Sequence, residues 1–137
     1  MDLAAIATPH IAGYSFDGKV NGTRQIYEAA CAFLGETALW DPTPLLPEPD
    51  VPELTVDGTV LNPVPELCHA VMQVYDVRQD DEKLRQIRAV PEADRASYFD
   101  RLRKEYPRRR EFKNTRAVVS PPNQDLEVRL KGLGFCV

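Results

Sequence analysis

Thr8-Pro9-His10-Ile11-Ala12-Gly13-Tyr14 is the segment best suited to chemistry. An imidazole titrates near neutral pH, so a histidine facing a cleft can take or return a proton. Pro9 fixes the turn that carries the histidine, and Gly13 follows it. The same pattern also fits a hydrogen-bonded structural histidine at a strand end, and the residues alone leave both readings open. Cys31, Cys68 and Cys136 are odd in number and widely spaced, with no Cys-x-x-Cys pair. They read as buried, reduced thiols. His69 has no neighbours at metal-ligand spacing and reads as an exposed helix residue, so no metal site is expected.

The elements that must hold this segment follow from periodicity. Leu3-Ala4-Ala5-Ile6-Ala7 reads as a buried parallel strand whose covering neighbours are not in the sequence, which points to truncation of a longer protein. Met1-Asp2-Leu3 opens with an acid where a signal peptide would carry basic residues. From Ser15, the spacing of Val20, Thr23, Ile26, Tyr27, Ala30, Phe33 and Leu34 predicts a helix over residues 16–34, capped by Ser15 and ended by Gly35. Asn21-Gly22 dissents as a hairpin signal but is outweighed by the apolar spacing. Residues 36–65 hold most of the prolines, and residues 41–52 are expected to be extended and stiff.

Glu53-Leu54-Thr55-Val56-Asp57 alternates like a half-buried strand, with a turn starting at Gly58. Val64, Leu67, Cys68, Val71, Met72, Val74 and Tyr75 mark a second helix, with Pro65 tolerated in its first turn. A third, short helix bears Leu84 and Ile87 and is capped by Asp80 or Asp81. A fourth covers residues 92–106 and stops at Pro107. Arg116-Ala117-Val118-Val119 reads as a strand, Ser120-Pro121-Pro122-Asn123 as a turn, and Leu126, Val128, Leu130 and Leu133 as a last helix closed by Gly134. Phe135-Cys136-Val137 is expected to be a terminal strand. The fold class is α+β: a small sheet with helices packed on one face, preceded by a strand-loop-helix remnant of an α/β protein. The expected divisions are residues 1–35, a proline-rich linker over 36–50, and a domain over 51–137.

The histidine segment with Ser15 and Asp17-Gly18-Lys19 resembles the D-2-hydroxyacid dehydrogenase superfamily in its 4-phosphoerythronate dehydrogenase branch. Leu45-Leu46-Pro47, Tyr75-Asp76-Val77-Arg78, Asp80-Asp81, Leu84-Arg85, Phe99-Asp100-Arg101-Leu102-Arg103-Lys104 and Leu133-Gly134-Phe135 resemble that branch's C-terminal dimerisation domain. The resemblance implies an NAD-dependent oxidation of 4-phospho-D-erythronate at its 2-hydroxyl, in pyridoxal phosphate (vitamin B6) biosynthesis. It implies His10 as the catalytic proton acceptor, Gly13 as a cofactor-binding position and Tyr14 as a substrate contact. It also implies a homodimer. The family's acidic partner for the histidine, its arginine for the substrate carboxylate and the Gly-x-Gly-x-x-Gly phosphate turn do not occur here, so the chain alone is expected to be inactive. Gly132-Leu133-Gly134 reads as helix capping. The competing reading is a free-standing dimerisation or regulatory module without enzymatic activity.

Charge is uneven in this acidic chain, with 21 acids against 17 Lys and Arg. Residues 36–66 contain acids and no Lys or Arg, whereas basic residues crowd residues 101–116. Without stacking aromatics, this basic stretch reads as a solvated helix face plus charge complementarity within a dimer, and nucleic-acid binding is the weaker alternative. No apolar run is long enough to span a bilayer, and the sequence predicts a cytoplasmic protein with no membrane partner.

Overall fold

The computed structural model describes residues 3–137. The reading made of Met1 and Asp2 lies outside them. Among the described residues, five α-helices accompany one two-stranded sheet, so the α+β class stands. Strand β1 (Glu53–Asp57) pairs in parallel with β2 (Arg116–Ser120), placing Leu54 beside Ala117 and Val56 beside Val119. These four side chains are buried, while Glu53, Thr55 and Asp57 face away. That is the one-sided alternation of a sheet covered on a single face.

Helices α2 (Pro63–Val74) and α5 (Gln124–Gly132) cover that face. Ala70 from α2, Leu126 and Leu130 from α5, and Phe135 complete the buried cluster. Phe112 stacks on Phe135 at 4.9 Å. Asn62 caps α2, whose early Pro63 and Pro65 need no intrahelical donor. Asn123 caps α5. Gly58 is required by close approach, since a Cβ there would stand 1.8 Å from the Pro121 carbonyl oxygen. The predicted terminal strand reduces to one parallel bridge between Arg116 and Cys136.

Helix α1 (Phe16–Leu34) has the predicted bounds and both predicted caps. Asn21-Gly22 lies inside it. Its apolar residues nevertheless remain open: Ile26 is 74% exposed and Phe33 90%. The proline-rich segment folds back on this helix, because the Tyr27 hydroxyl accepts from the backbone N–H groups of Leu39 and Trp40. A 3-10 turn at Thr43–Leu45 interrupts what was expected to be extended, with Asp41 bonding the Thr43 amide and hydroxyl and bending the chain.

Helix α3 (Val77–Arg85) begins earlier than predicted. Its cap is Asp76, which accepts from the Arg78 amide, leaving Asp80 and Asp81 inside the helix and Ile87 in a following 3-10 turn. Helix α4 (Arg95–Lys104) follows another 3-10 turn at Glu92–Asp94. The expected thiol burial fails as well. Cys68 and Cys136 are exposed, Cys31 is half-buried, and all three are free. Cys68 lies on the outer part of the α2 stripe, and Cys136 is beyond the edge of the sheet.

The predicted strand before His10 is absent. Leu3 is fully exposed and Ile6 is 51% exposed. Among the described residues no strand lies alongside to take their backbone groups, and side chains of α3 do so instead. The Ala7 amide donates to Asp81 Oδ1 at 2.8 Å, and Arg85 donates to the Ala4 carbonyl at 2.9 Å. Arg85 and Asp81 are themselves paired at 2.7 Å. The Arg85 guanidinium first, and the Ala7 amide second, hold the Asp81 carboxyl below its ordinary pKa.

Candidate functional site

His10 occupies a tight turn between two buried anchors, Pro9 and Ile11. Its φ of 58° is unusual for any residue with a side chain, and its amide donates to the Thr8 carbonyl at 2.9 Å. Such a conformation costs about 1–3 kcal/mol and persists only when surrounding contacts impose it. The imidazole is exposed, with no side-chain hydrogen bond or ion pair among the described residues. Gly13 sits at φ 75° with open space where a Cβ would be. The Tyr14 amide closes the turn by donating to the Ile11 carbonyl at 3.0 Å. The structure thus brings His10, Gly13 and Tyr14 onto one short loop whose middle is solvent-facing.

Tyr14 points back into the domain. Its hydroxyl accepts a hydrogen bond from Arg103 at 2.9 Å, and its ring meets Tyr106 edge-on at 6.0 Å. Lys19 Nζ stands 4.5 Å from the Tyr14 ring centre. Beyond it, the hydroxyls of Tyr106 and Tyr75 both donate to Asp80 Oδ2, at 3.0 and 2.8 Å. Burial, then the bond to Asp80, raises the Tyr75 phenol far above its ordinary pKa, and burial raises that of Tyr106. Both phenols therefore remain donors across the neutral range. Behind the loop, Pro9, Leu102, Tyr106 and Pro107 border a cavity of about 180 Å³.

The other end of the loop is fixed by the basic segment. Asp17, 2% exposed, accepts from Arg110 Nε at 2.9 Å, from the Glu111 amide at 3.0 Å and from Asn114 at 3.1 Å. Burial alone would raise the Asp17 pKa, but these bonds and the Arg110 charge outweigh it and hold the carboxyl below its ordinary value. Ser15 donates to Glu111 Oε1 at 2.8 Å, and the Phe16 amide donates to the Arg109 carbonyl at 2.8 Å. Arg110 also bonds the Pro47 carbonyl. Much of the basic charge is thus answered within the chain, including Arg116 paired with Glu53 across the sheet at 3.3 Å. The loop is gripped before His10 by α3, at Tyr14 by α4, and after it by residues 109–114.

The sequence alone does not mark these gripping residues as site residues. Asp17, Asp81, Arg85 and Arg103 all lie in the quoted family landmarks, which was the available signal. His69 is exposed on α2 as expected. Among the described residues, no group of three or more His, Cys, Asp or Glu side chains converges to hold a metal ion, and no helix is long and apolar enough to cross a membrane.

The small parallel sheet covered by α2 and α5 lies within a stretch of sequence that matches a known family. Residues 45–134 match the model described as "Domain of unknown function (DUF3410)", and the chain belongs to that family. Over its whole length it is 42% identical to the protein named erythronate-4-phosphate dehydrogenase of Cellvibrio japonicus, covering 37% of that protein. It is 43% identical over 96% of its length to the protein of that name in Pseudomonas fluorescens, covering 31% of it. With the namesake of Photorhabdus laumondii it shares 42% over 98% of its length, covering 34% of that relative. The chain thus spans about a third of the length of the curated relatives it matches, in their C-terminal portion.

Proposed function

We propose that this chain serves as the C-terminal portion of an NAD-dependent 4-phosphoerythronate dehydrogenase, a cytoplasmic homodimer acting in pyridoxal phosphate biosynthesis. The observation that carries this reading is similarity across 96–100% of the chain to proteins of that name. In this reading residues 1–35 supply the histidine loop and its helix, residues 36–50 link, and residues 51–137 make the dimer.

His10 takes the proton of the substrate's 2-hydroxyl, a task suited to an exposed imidazole held by a constrained turn. Tyr14 contacts the substrate through its hydroxyl. Gly13 fits an edge of a dinucleotide site, because its positive φ demands glycine and nothing occupies the space beside it. NAD, when bound, accepts the hydride. The sequence has no Gly-x-Gly-x-x-Gly turn, so most of the cofactor's binding energy must come from residues that this chain does not contain. Dimer formation is then the role left to the chain on its own. The apolar outer side of α2, with Val64, Leu67, Val71 and Met72 beside Leu133, is the surface assigned to it.

The test is to join this chain behind the preceding two-thirds of the Cellvibrio japonicus relative and measure NAD reduction with 4-phosphoerythronate. The fusion is expected to turn over and the unfused chain to be inactive. His10→Ala in the fusion slows turnover by about 100-fold or more. Tyr14→Phe impairs substrate use more than NAD binding. An active unfused chain, or an unchanged rate in His10→Ala, overturns the assignment.

A further inference from the structure

We infer that Asp81 and Arg85 of α3 are positioning residues for His10, a pair of side chains that holds the backbone ahead of the histidine turn and so fixes where the imidazole stands. The domain assigned to dimerisation thereby takes a part in the chemistry. This rests on the dehydrogenase reading, because only a proton-transferring His10 makes its placement matter to turnover.

The hold is made on the backbone of residues 4–7. Asp81 Oδ1 accepts from the Ala7 amide at 2.8 Å, and Arg85 Nη2 donates to the carbonyls of Ala4 at 2.9 Å and Ala5 at 3.3 Å. Arg85 Nε also donates to Asp81 Oδ2 at 2.7 Å, so the two side chains form one joined unit that presents both a donor and an acceptor to the segment. A neighbouring strand would offer a stretch of backbone the same two kinds of group. Both side chains are shielded enough for these bonds to be directional, at 18% exposure for Asp81 and 28% for Arg85. A planar guanidinium can serve a carboxylate and a carbonyl together in fixed directions, which a lysine ammonium does with less control.

Burial does not account for this hold. Residues 3–6 are exposed and add no side chain to the core. Three residues beyond Ala7 stands His10, whose positive φ persists only while its flanks are fixed. The chain from Ala7 to His10 reaches about 11 Å at most, and Pro9 within it is buried, with its own φ fixed by the ring. A displacement of Ala7 is therefore passed on to the imidazole. After the turn, α4 holds Tyr14 and residues 109–114 hold Asp17; before it, the hold comes from Asp81 and Arg85. Helix α5 carries an Asp–Arg pair of the same spacing for comparison. There Asp125 and Arg129 meet at 2.8 Å, both more than half exposed, and bond no distant backbone among the described residues.

The experiment measures kcat and the KM of NAD in the fusion to the preceding portion of the Cellvibrio japonicus relative, and hydrogen exchange at the Ala7 and His10 amides in the chain itself. Arg85→Gln is expected to lower kcat about 10-fold or more, within the range produced by misplacement away from the chemistry. The KM of NAD should change less than about 2-fold, as for an interaction that matters only in the transition state. Arg85→Lys recovers part of the loss. Asp81→Asn, which keeps an acceptor oxygen for the Ala7 amide, is milder than Asp81→Ala, and Arg129→Gln changes nothing. In Arg85→Gln both amides should exchange about 10-fold faster while the urea midpoint of the sheet domain stays in place. A merely structural role predicts less folded enzyme with a wild-type kcat per folded molecule, and that result, or an unchanged kcat in Arg85→Gln, overturns the inference. A wild-type fusion without activity removes the dehydrogenase reading instead. The exchange measurement then decides the hold by itself: acceleration at His10 in Arg85→Gln upholds it, and unaltered exchange there overturns it.

Discussion

Replacing Asp17 by Asn should release the start of α1 without unfolding the domain. The carboxylate is 2% exposed and its partner Arg110 only 9%, two further donors, the Glu111 amide and the Asn114 side chain, bond it, and Lys113 Nζ lies 3.9 Å away. Removing one member of a buried, hydrogen-bonded ion pair costs about 3–5 kcal/mol. Arg110 keeps the Pro47 carbonyl and Asn114 Oδ1 as acceptors, which places the loss at the lower end, about 3 kcal/mol. Beyond its first turn α1 is mostly exposed and has little core to lose. The cost therefore falls on local opening. Hydrogen exchange at the amides of residues 18–23 should accelerate about 100-fold, while the urea midpoint of the sheet domain stays in place. The pH dependence has a fixed sign. A carboxyl whose folded pKa is depressed contributes stability above its unfolded value, ordinarily 3.8, and loses it as pH falls through the lower folded value. Wild-type protection of α1 should thus fade below pH 4 or so, and the Asp17→Asn protein should show no such acid step there. Exchange altered by less than about 3-fold, or an equal loss across the whole domain, would refute the clamp.

The remaining expectations concern packing, thiols and association. Leu130→Ala, at a fully buried position, should cost about 3 kcal/mol in urea unfolding, whereas Ile26→Ala, at a position 74% exposed, should cost less than about 0.5 kcal/mol; similar costs would contradict the burial assigned to either. A thiol reagent should label Cys136 in the native chain faster than Cys31, whereas Cys68, which borders the apolar α2 face, should react faster in the Met72→Asp protein than in wild type; a Cys68 rate unchanged by Met72→Asp would mean that no dimer covers this face. Sedimentation equilibrium at micromolar concentration should show a dimer that Met72→Asp disrupts and salt alters only modestly, with a wild-type monomer throughout removing the proposed role of the α2 face.

Where a local rule decides the structure, the residues are legible. Ser15 and Gly35 mark the ends of α1, and the alternation from Glu53 to Asp57 marks β1, because caps and pleats depend on a few consecutive side chains. The sequence does not single out Asp76 as the α3 cap, because three aspartates compete within six residues, and only the path of the chain leaving α2 selects among them. Apolar spacing correctly predicts that α1 is a helix, yet it cannot say whether anything lies opposite Ile26 and Phe33. The same limit misleads at residues 3–7, where composition suits a strand but a strand needs a neighbour. His10, Gly13 and Tyr14 stand out by residue type and by resemblance. Arg103 falls within a family landmark but is not marked there as a site residue, since the bond linking it to Tyr14 joins positions 89 residues apart and no local period encodes it.

The grip of residues 109–114 on Asp17 also governs the order in which the molecule can assemble. Helix α1, 19 residues long, has its own caps and can begin to form from local contacts alone. The bonds that seat its first turn span 93 to 97 residues, so the intervening chain must close a long loop before they exist. During synthesis the histidine turn emerges among the earliest residues of this segment, yet it has to wait for α4 and the approach to β2 before its flanks are held. The part of the chain proposed to do the chemistry is therefore among the last to acquire its shape.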